Sequence, residues 1–281
     1  MPIIIKNDTE LRALIPNVLA TVEGEPSLFD RLSPFLESAE FWVSSNFAPQ
    51  SMMYVQATSH GEQQTLIKQL IVYHAFMLAV PSLDLVLTPN GFGIVSNSNV
   101  APASKERIER LIAAIEMQRD NVLEQYLGFT FMYYNDTYLN SAQGKYFLAT
   151  LFPNLDLCNR CGITAHRWQE YQRLREKILS IEKKLENEYF SAQQMKTFRR
   201  RILNWSYNKP DTLETTVIES IRSLEISILT DDKPHPQTAR DIVNILRSEP
   251  NLFSDWAHSD TAKLFAPELF LNKKSAGGYW F

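Results

Sequence analysis

The sequence predicts a mainly α-helical protein made of two helical-bundle halves. Apolar residues recur at three- and four-residue spacing along most of the 281 residues, prolines separate these periodic stretches, and one short stretch alternates as a β-strand does. The composition, 44% hydrophobic and 21% charged, is ordinary for a globular protein. We therefore expect a folded core rather than a disordered or fibrous chain.

A first domain is predicted over residues 1–128, and its helices can be placed from caps, apolar stripes and prolines. Ser27 is a favoured N-cap residue, and apolar residues follow it at helical spacing until Pro49. The next helix has a wide apolar stripe, so we expect it at the centre of the domain. The three helices are predicted over 28–47, 63–80 and 105–127.

Residues 83–99 of this domain depart from the helical pattern. Leu83, Leu85 and Leu87 alternate with other residues, a Thr-Pro-Asn-Gly sequence favours a turn, and Phe92 and Ile94 resume the alternation. This pattern predicts a β-hairpin or an ordered extended loop.

The second half is predicted to be helical as well. Residues 129–164 are rich in aromatic and polar turn residues, and we interpret them as a connection to a second helical domain over 165–268. Its helices are predicted over 165–190, 191–203, 212–229, 237–249 and 253–264. A C-terminal docking tail is predicted over 269–281.

The two halves share a helix pattern that an internal duplication would explain. Phe41 and Phe190 end comparable helices at an offset of 149 residues, and Ile67 corresponds to Ile218 at an offset of 151. Ile108 then matches Ile242 at 134, if the second half lacks the hairpin. Amphipathic helices also resemble one another without common ancestry, so the duplication stays open.

Charge and apolar runs limit the classes of partner. The formal net charge of −4 gives no broad attraction to nucleic acid or anionic lipid. The longest apolar run, Leu70 to Val80, is shorter than the roughly 20 residues of a membrane span and indicates a buried helix. The N-terminus lacks the features of a signal peptide, and two cysteines are too few for a disulfide framework. We expect no membrane partner and assembly in the cytoplasm.

One short motif has the spacing of a metal or redox site. Cys158 and Cys161 are separated by two residues, and His166 lies five residues farther on. A structural zinc site needs four ligands, and no second motif of this kind is present; the alternative is two small residues in a loop before a helix. GxSxG, HExxH and P-loop patterns are absent too. We therefore predict no metal, no cofactor and no enzymatic activity.

His74 lies in the middle of an apolar stripe. A histidine in that position is predicted to be a hydrogen-bonded core residue rather than a ligand or a base.

A basic cluster offers a route to nucleic acid. Arg199, Arg200 and Arg201 would pair with phosphates, while Trp205 and Tyr207 would stack on bases. Three arginines at the end of a helix also suit a solvated face that complements the helix dipole.

Four large aromatic residues near the C-terminus predict a contact. Phe270, Tyr279, Trp280 and Phe281 would expose much apolar surface on a free chain end. We expect them to dock on their own chain or on a neighbouring subunit.

Residues 83–97, LDLVLTPNGFGIVSN, followed by VAPAS at 100–104, resemble a family of uncharacterised proteins encoded in phages and prophages of gut anaerobes. The Leu151-Phe152-Pro153 segment and the helix start at Arg167-Trp168 carry the same resemblance, which covers most of the chain. The family has no assigned activity.

The order of elements over 28–128 also resembles the helical head-tail connector proteins (adaptor or head-completion proteins) of tailed phages, above all over 35–43 and 67–75. The resemblance implies a homo-oligomeric, twelve-fold ring in the virion neck. The ring would bind the portal protein and a tail or second neck protein, with DNA passing through its lumen. Such connectors are about half as long, so the second half of this chain has no counterpart in them.

The resemblance implies that the hairpin and the tail make the subunit and portal contacts. The residues concerned are Leu85, Leu87, Phe92, Ile94, Phe270, Tyr279, Trp280 and Phe281. The alternative is a DNA-binding accessory protein in phage packaging or replication that uses Arg199, Arg200 and Arg201.

Overall fold

The protein is described by a computed structural model, which confirms the mainly α-helical fold. The structure describes residues 4–15, 26–58, 61–83, 85–88, 91–94, 104–132, 136–203 and 212–266. Within these residues the α-helices are α1 Asp8–Leu14, α2 Leu28–Asn46, α3 Gln50–Thr58, α4 Glu62–Ala79, α5 Lys105–Met132, α6 Asp136–Asn140, α7 Ala142–Phe147, α8 Asp156–Arg160, α9 Arg167–Leu185, α10 Ala192–Leu203, α11 Leu213–Asp231, α12 Pro236–Ser248, α13 Ser254–Ala257 and α14 Asp260–Lys263.

Three shorter elements complete the described part of the chain. A 3₁₀ turn covers Val80–Ser82, and a π turn covers Glu186–Phe190 directly after α9. Two strands, β1 Leu85–Thr88 and β2 Gly91–Ile94, pair antiparallel.

The long helices lie within a few residues of their predicted bounds. Ser27 caps α2 as predicted and forms a capping box, in which Ser27 Oγ accepts from Asp30 N at 3.2 Å and the Asp30 carboxylate accepts from Ser27 N. α1 and α3 are not predicted, because seven and nine residues are too few to establish a helical period.

The structure divides the chain differently from the predicted domains. A first compact unit comprises Met1–Leu179 and Arg199–Pro210, and a second comprises Ser180–Phe198 and Asp211–Phe281. Residues 129–164, predicted as a connection, contain α6, α7 and α8 and belong to the first unit. Three aromatic residues of this segment, Tyr138, Phe147 and Phe152, are fully buried core residues.

The centre of the first unit is α4, as its wide apolar stripe predicts. It packs against α2 and α5 and also contacts α1 and α3. Every residue from Leu70 to Phe76 is buried. By length and composition the stretch Glu62–Ser82 would pass as a membrane span, but 61% of its most apolar window is buried inside the protein. The buried core helix of a folded domain meets the same criterion of length and composition, and α4 is such a helix.

An aromatic cluster joins α2, α5, α7 and α9 within the first unit. The Phe47 ring centroid lies 4.7 Å from that of Trp168 and 6.3 Å from that of Phe147. Phe147 in turn lies 5.9 Å from Phe131 and 6.2 Å from Tyr171. These offset and edge-on pairs are the favoured aromatic geometries, so the cluster fixes the position of four helices relative to one another.

A buried ion pair lies next to this cluster. Arg119 and Asp120 of α5 have side chains 2% and 1% exposed, and Asp120 Oδ1 accepts from Arg119 Nε at 2.9 Å and from Nη2 at 2.6 Å. The other carboxylate oxygen, Oδ2, accepts from the Trp168 backbone N at 3.3 Å. Trp168 is in the first turn of α9, whose N–H groups lack partners within the helix. Asp120 therefore caps α9 from a different helix.

The second unit has a smaller core around the π turn. Trp256 Nε1 donates to Tyr189 O at 2.8 Å, and Gln194 Oε1 accepts from Trp256 N at 3.0 Å. Phe198 and Phe253 meet edge-on at 6.1 Å. These contacts tie α13 to the π turn and to α10.

The residues matched by the proposed duplication differ in burial. Ile67 and Ile218 are both fully buried, as equivalent positions would be. Phe41, however, is 73% exposed whereas Phe190 is fully buried. Only part of the proposed correspondence is therefore matched by burial, and the duplication stays a prediction.

Replacing Asp120 by alanine should destabilise the protein by about 3 kcal/mol, because it leaves the buried Arg119 with Glu116 Oε1, at 3.3 Å, as its remaining carboxylate partner and uncaps α9. Urea unfolding followed by circular dichroism measures this loss. Glu109→Ala is the matched control on the same helix, since the Lys105–Glu109 pair is solvent-exposed and should contribute less than about 1 kcal/mol. Similar losses for the two variants would contradict the structural role of Asp120.

Candidate interaction surfaces

The hairpin places the predicted contact residues in a single register. β1 pairs Leu85 with Ile94 and Leu87 with Phe92. Residues two apart on a strand, and residues directly opposite across an antiparallel pair, share a face. The four predicted contact positions therefore lie on one face of the two-stranded ribbon.

The helix that follows the hairpin, α5, differs between its two ends. None of its first ten residues, 105–114, is buried, whereas the C-terminal part from Ile115 onward supplies core residues to the first unit. A helix of 28 residues is about 42 Å long, so roughly the first 15 Å of α5 contributes no buried side chain.

This N-terminal part of α5 nevertheless has an apolar stripe. Ile108, Leu111 and Ile112 are spaced so that they lie on one face of the helix, in line with the buried Ile115, and all three are half-buried. We call these three residues the α5 stripe. Its apolar area is removed from water only in part.

Two charged pairs lie on the surface of this helix segment outside the α5 stripe. Glu106 and Arg110 pair on the opposite face, and Lys105 Nζ lies 3.6 Å from Glu109 Oε1 at the flank. Four of the five charges in this segment are thus paired along the helix, Arg107 is exposed, and the half-buried surface is the apolar α5 stripe. A surface of this kind suits contact with another protein.

The Cys158-Cys161 motif is not arranged for redox chemistry. Cys158 is buried, and its Sγ donates to Arg167 O at 3.2 Å. Burial raises the pKa of the Cys158 thiol to about 12 and also raises that of Cys161. Reactive cysteines need the opposite shift, because the thiolate is the nucleophile and the metal ligand.

His166, the third metal candidate, interacts with a carboxylate. Its Nδ1 lies 2.6 Å from Glu116 Oε2, and its backbone adopts a left-handed conformation, φ 51°, just before α9. No group of three or more His, Cys, Asp or Glu side chains in the described ranges is placed to hold a metal ion.

Sequence reasoning did not identify the polar residues around this helix start. Glu116, Asp120 and Glu124 follow one another at four-residue spacing on α5, and Glu124 Oε2 accepts from Arg167 Nη1 at 2.7 Å. The four-residue spacing of these three carboxylates, which places them on one face of the helix, was the available signal. Its meaning depends on α9, which is distant in sequence.

The three candidate DNA-binding arginines do not share one exposed surface. Arg200 is exposed, whereas Arg199 and Arg201 are half-buried and interact within the chain. Consecutive residues on an α-helix point about 100° apart, so the three side chains fan around α10. Trp205 and Tyr207 lie outside the described residues, and DNA contact stays a prediction.

The predicted tail contacts fall in the part of the sequence that the structure does not describe. Phe270, Tyr279, Trp280 and Phe281 all follow Ala266, the last described residue. Their docking stays a prediction.

His74 is buried as predicted, but its hydrogen bonding differs from the expectation. Its ring stacks on Trp42 with centroids 3.8 Å apart, and its Nδ1 has no hydrogen-bond partner within the described residues. Burial, together with the nearby Arg119 charge, lowers the pKa of His74 from 6.5 to about 3. The imidazole is therefore neutral at physiological pH and acts as an aromatic core residue.

A known family model matches part of the chain. Residues 15–147 match a family described as "Family of unknown function (DUF6712)", a region that contains α2 to α7 and the hairpin. No curated protein and no solved structure matches the chain.

The His74 environment predicts a loss of stability in acid. The folded-state pKa lies below the unfolded value, so the unfolded chain takes up this proton first. The contribution of neutral His74 to the free energy of unfolding is complete above pH 6.5. It falls by about 1.4 kcal/mol per pH unit as the pH falls from there toward 3. Urea unfolding of the natural chain should lose about 2–3 kcal/mol more between pH 7 and 4.5 than that of His74→Phe, which keeps the stack on Trp42. Equal losses would contradict the buried, neutral state of His74.

Proposed function

We propose that this protein is a structural head-tail connector of a tailed phage, which assembles into a ring under the portal protein and has no catalytic role. The α5 stripe and the hairpin supply the subunit contacts. DNA passes through the lumen, and a tail or second neck protein binds the other side of the ring.

The observation that carries the proposal is the unburied N-terminal part of α5. A helix is held in a monomer mainly by the apolar face that it buries, yet residues 105–114 bury none of their side chains fully. Burying the α5 stripe in an interface would remove further apolar surface from water. Each Å² of apolar surface buried would stabilise the interface by about 25 cal/mol. A neighbouring subunit is the partner that a ring supplies.

The geometry suits a head-to-tail contact. A ring forms when one surface of a subunit binds a different surface of the next subunit. The apolar face of the hairpin and the α5 stripe are close in sequence and both belong to the first unit. They can form one side of such a contact, while exposed Phe41 and Val55, on α2 and α3, are candidates for the other.

The resemblance to connector proteins rests on segments that form the core of the first unit. Residues 35–43 lie in α2 and residues 67–75 lie in α4, and these helices pack against each other. The region that matches the family of unknown function overlaps the resemblance, so both concern the first unit. The second unit then adds a function to the connector, such as contact with a further neck protein.

The proposal predicts the effect of a charge in the α5 stripe. Leu111→Glu should weaken ring assembly on the portal of the encoding phage at least tenfold, equivalent to about 1.4 kcal/mol per contact, because a carboxylate would be buried in the interface. Co-expression with the portal, followed by native mass spectrometry, counts the subunits bound.

Ala113→Glu is the matched control, because Ala113 is exposed on the opposite side of the same helix and its substitution should leave assembly unchanged. Rings that form equally well with Leu111→Glu would contradict the contact. A natural chain that never associates with the portal but retains DNA in a salt-sensitive way would instead support the DNA-binding alternative.

A further inference from the structure

The second unit contains an open groove that the proposed function does not use. Its volume is about 220 Å³, smaller than the roughly 300–1,000 Å³ of typical small-molecule sites, so it suits a single side chain rather than a larger ligand. The groove lies between the end of α9 with the π turn and the end of α11 with the following loop. Its apolar lining consists mainly of Ile181, Leu185, Tyr189, Ile228, Pro234 and Pro236.

Charged groups of both signs line the rim, including Lys184, Glu188, Asp232 and Lys233. Lys184 Nζ lies 4.0 Å from Glu188 Oε1, and His235 Nε2 lies 3.2 Å from Asp231 Oδ2. The rim therefore presents both signs of charge, which does not favour a strongly charged ligand. The lining favours an aromatic or aliphatic side chain.

The loop that closes one side of the groove is restrained by its sequence. Pro234 and Pro236 flank His235, and proline fixes its own φ angle and restricts the residue before it. Asp232, which ends α11, adopts a left-handed conformation with φ 51°. The groove is thus formed before any occupant binds, which reduces the ordering cost of binding.

The described chain ends beside this groove. Tyr189 lines the groove, and the ring of Phe265 lies 6.0 Å from the ring of Tyr189. Phe265 is held there by Trp256, at 6.4 Å between ring centroids, and by Arg247 Nη1, which donates to Phe265 O at 3.3 Å. The residues that follow Ala266 therefore start next to an apolar surface.

We propose that Phe270 of the same chain binds in this groove. Phe270 is five residues after Phe265, so an extended chain can carry it roughly 17 Å, farther than the distance from Phe265 to Tyr189. A short connection gives an effective concentration on the order of millimolar, which favours the groove of the same chain over that of a second copy. The proposal is independent of the connector function and leaves Tyr279, Trp280 and Phe281 for a partner.

Photocrosslinking in the full-length chain tests this assignment. Phe270 is replaced by the photoreactive residue p-benzoylphenylalanine, the protein is irradiated, and the crosslinked peptides are mapped by mass spectrometry. We expect crosslinks to peptides that contain Tyr189, Ile228 or Pro236. In a mixture of ¹⁵N-labelled and unlabelled chains, they should join peptides of the same isotopic composition.

Ile228→Glu should reduce the crosslink yield at least tenfold, because it places a carboxylate in the apolar lining. Leu252→Glu is the matched control, since Leu252 is 50% exposed in the same unit but does not line the groove, and it should not change the yield. Circular dichroism checks that both variants are folded. Crosslinks outside the groove, no crosslinks, or crosslinks between differently labelled chains would overturn the assignment.

Discussion

The first unit depends on the carboxylate of Asp120. One of its oxygens holds the buried Arg119 guanidinium, and the other accepts from the first turn of α9. A charge that is 1% exposed is costly unless it is fully partnered, and here one partner is a cation and the other is an orphan N–H group. Asp120 therefore neutralises the buried charge of Arg119 and also fixes where α9 begins.

The surrounding aromatic rings depend on that position. The backbone N–H of Trp168 donates to Asp120, and the Trp168 ring packs edge-on against Phe47. The Arg119 guanidinium lies 5.4 Å from the centre of the Trp42 ring. Trp42 also stacks on His74 of α4, so a single set of contacts joins α2, α4, α5 and α9. The C-terminal part of α5 is thereby fixed in the core, whereas its N-terminal part, with the α5 stripe, stays only partly buried.

The fold class and the long helices could be predicted because they follow from periodicity within one segment. The Ser27 cap and the central position of α4 are signals of this local kind. The short helices α6, α7 and α8 could not be predicted, since residues such as Tyr138 and Phe147 become core residues only through contacts with helices distant in sequence. The same limit explains the wrong hydrogen-bond prediction for His74 and the unrecognised role of Asp120.

Of the candidate surfaces, the alternation in the hairpin was visible in the sequence, whereas the incomplete burial of the α5 stripe required the tertiary structure.

Backbone hydrogen exchange of the chain, alone and mixed with the portal of the encoding phage, tests the central claim most directly. Amides that are covered or stabilised in an interface exchange more slowly. The connector account predicts that exchange over residues 105–114 slows on assembly, while exchange over the buried part of α5 around Asp120 stays as slow as it is in the isolated chain. Portal-bound particles in which residues 105–114 exchange as fast as in the isolated chain would contradict it.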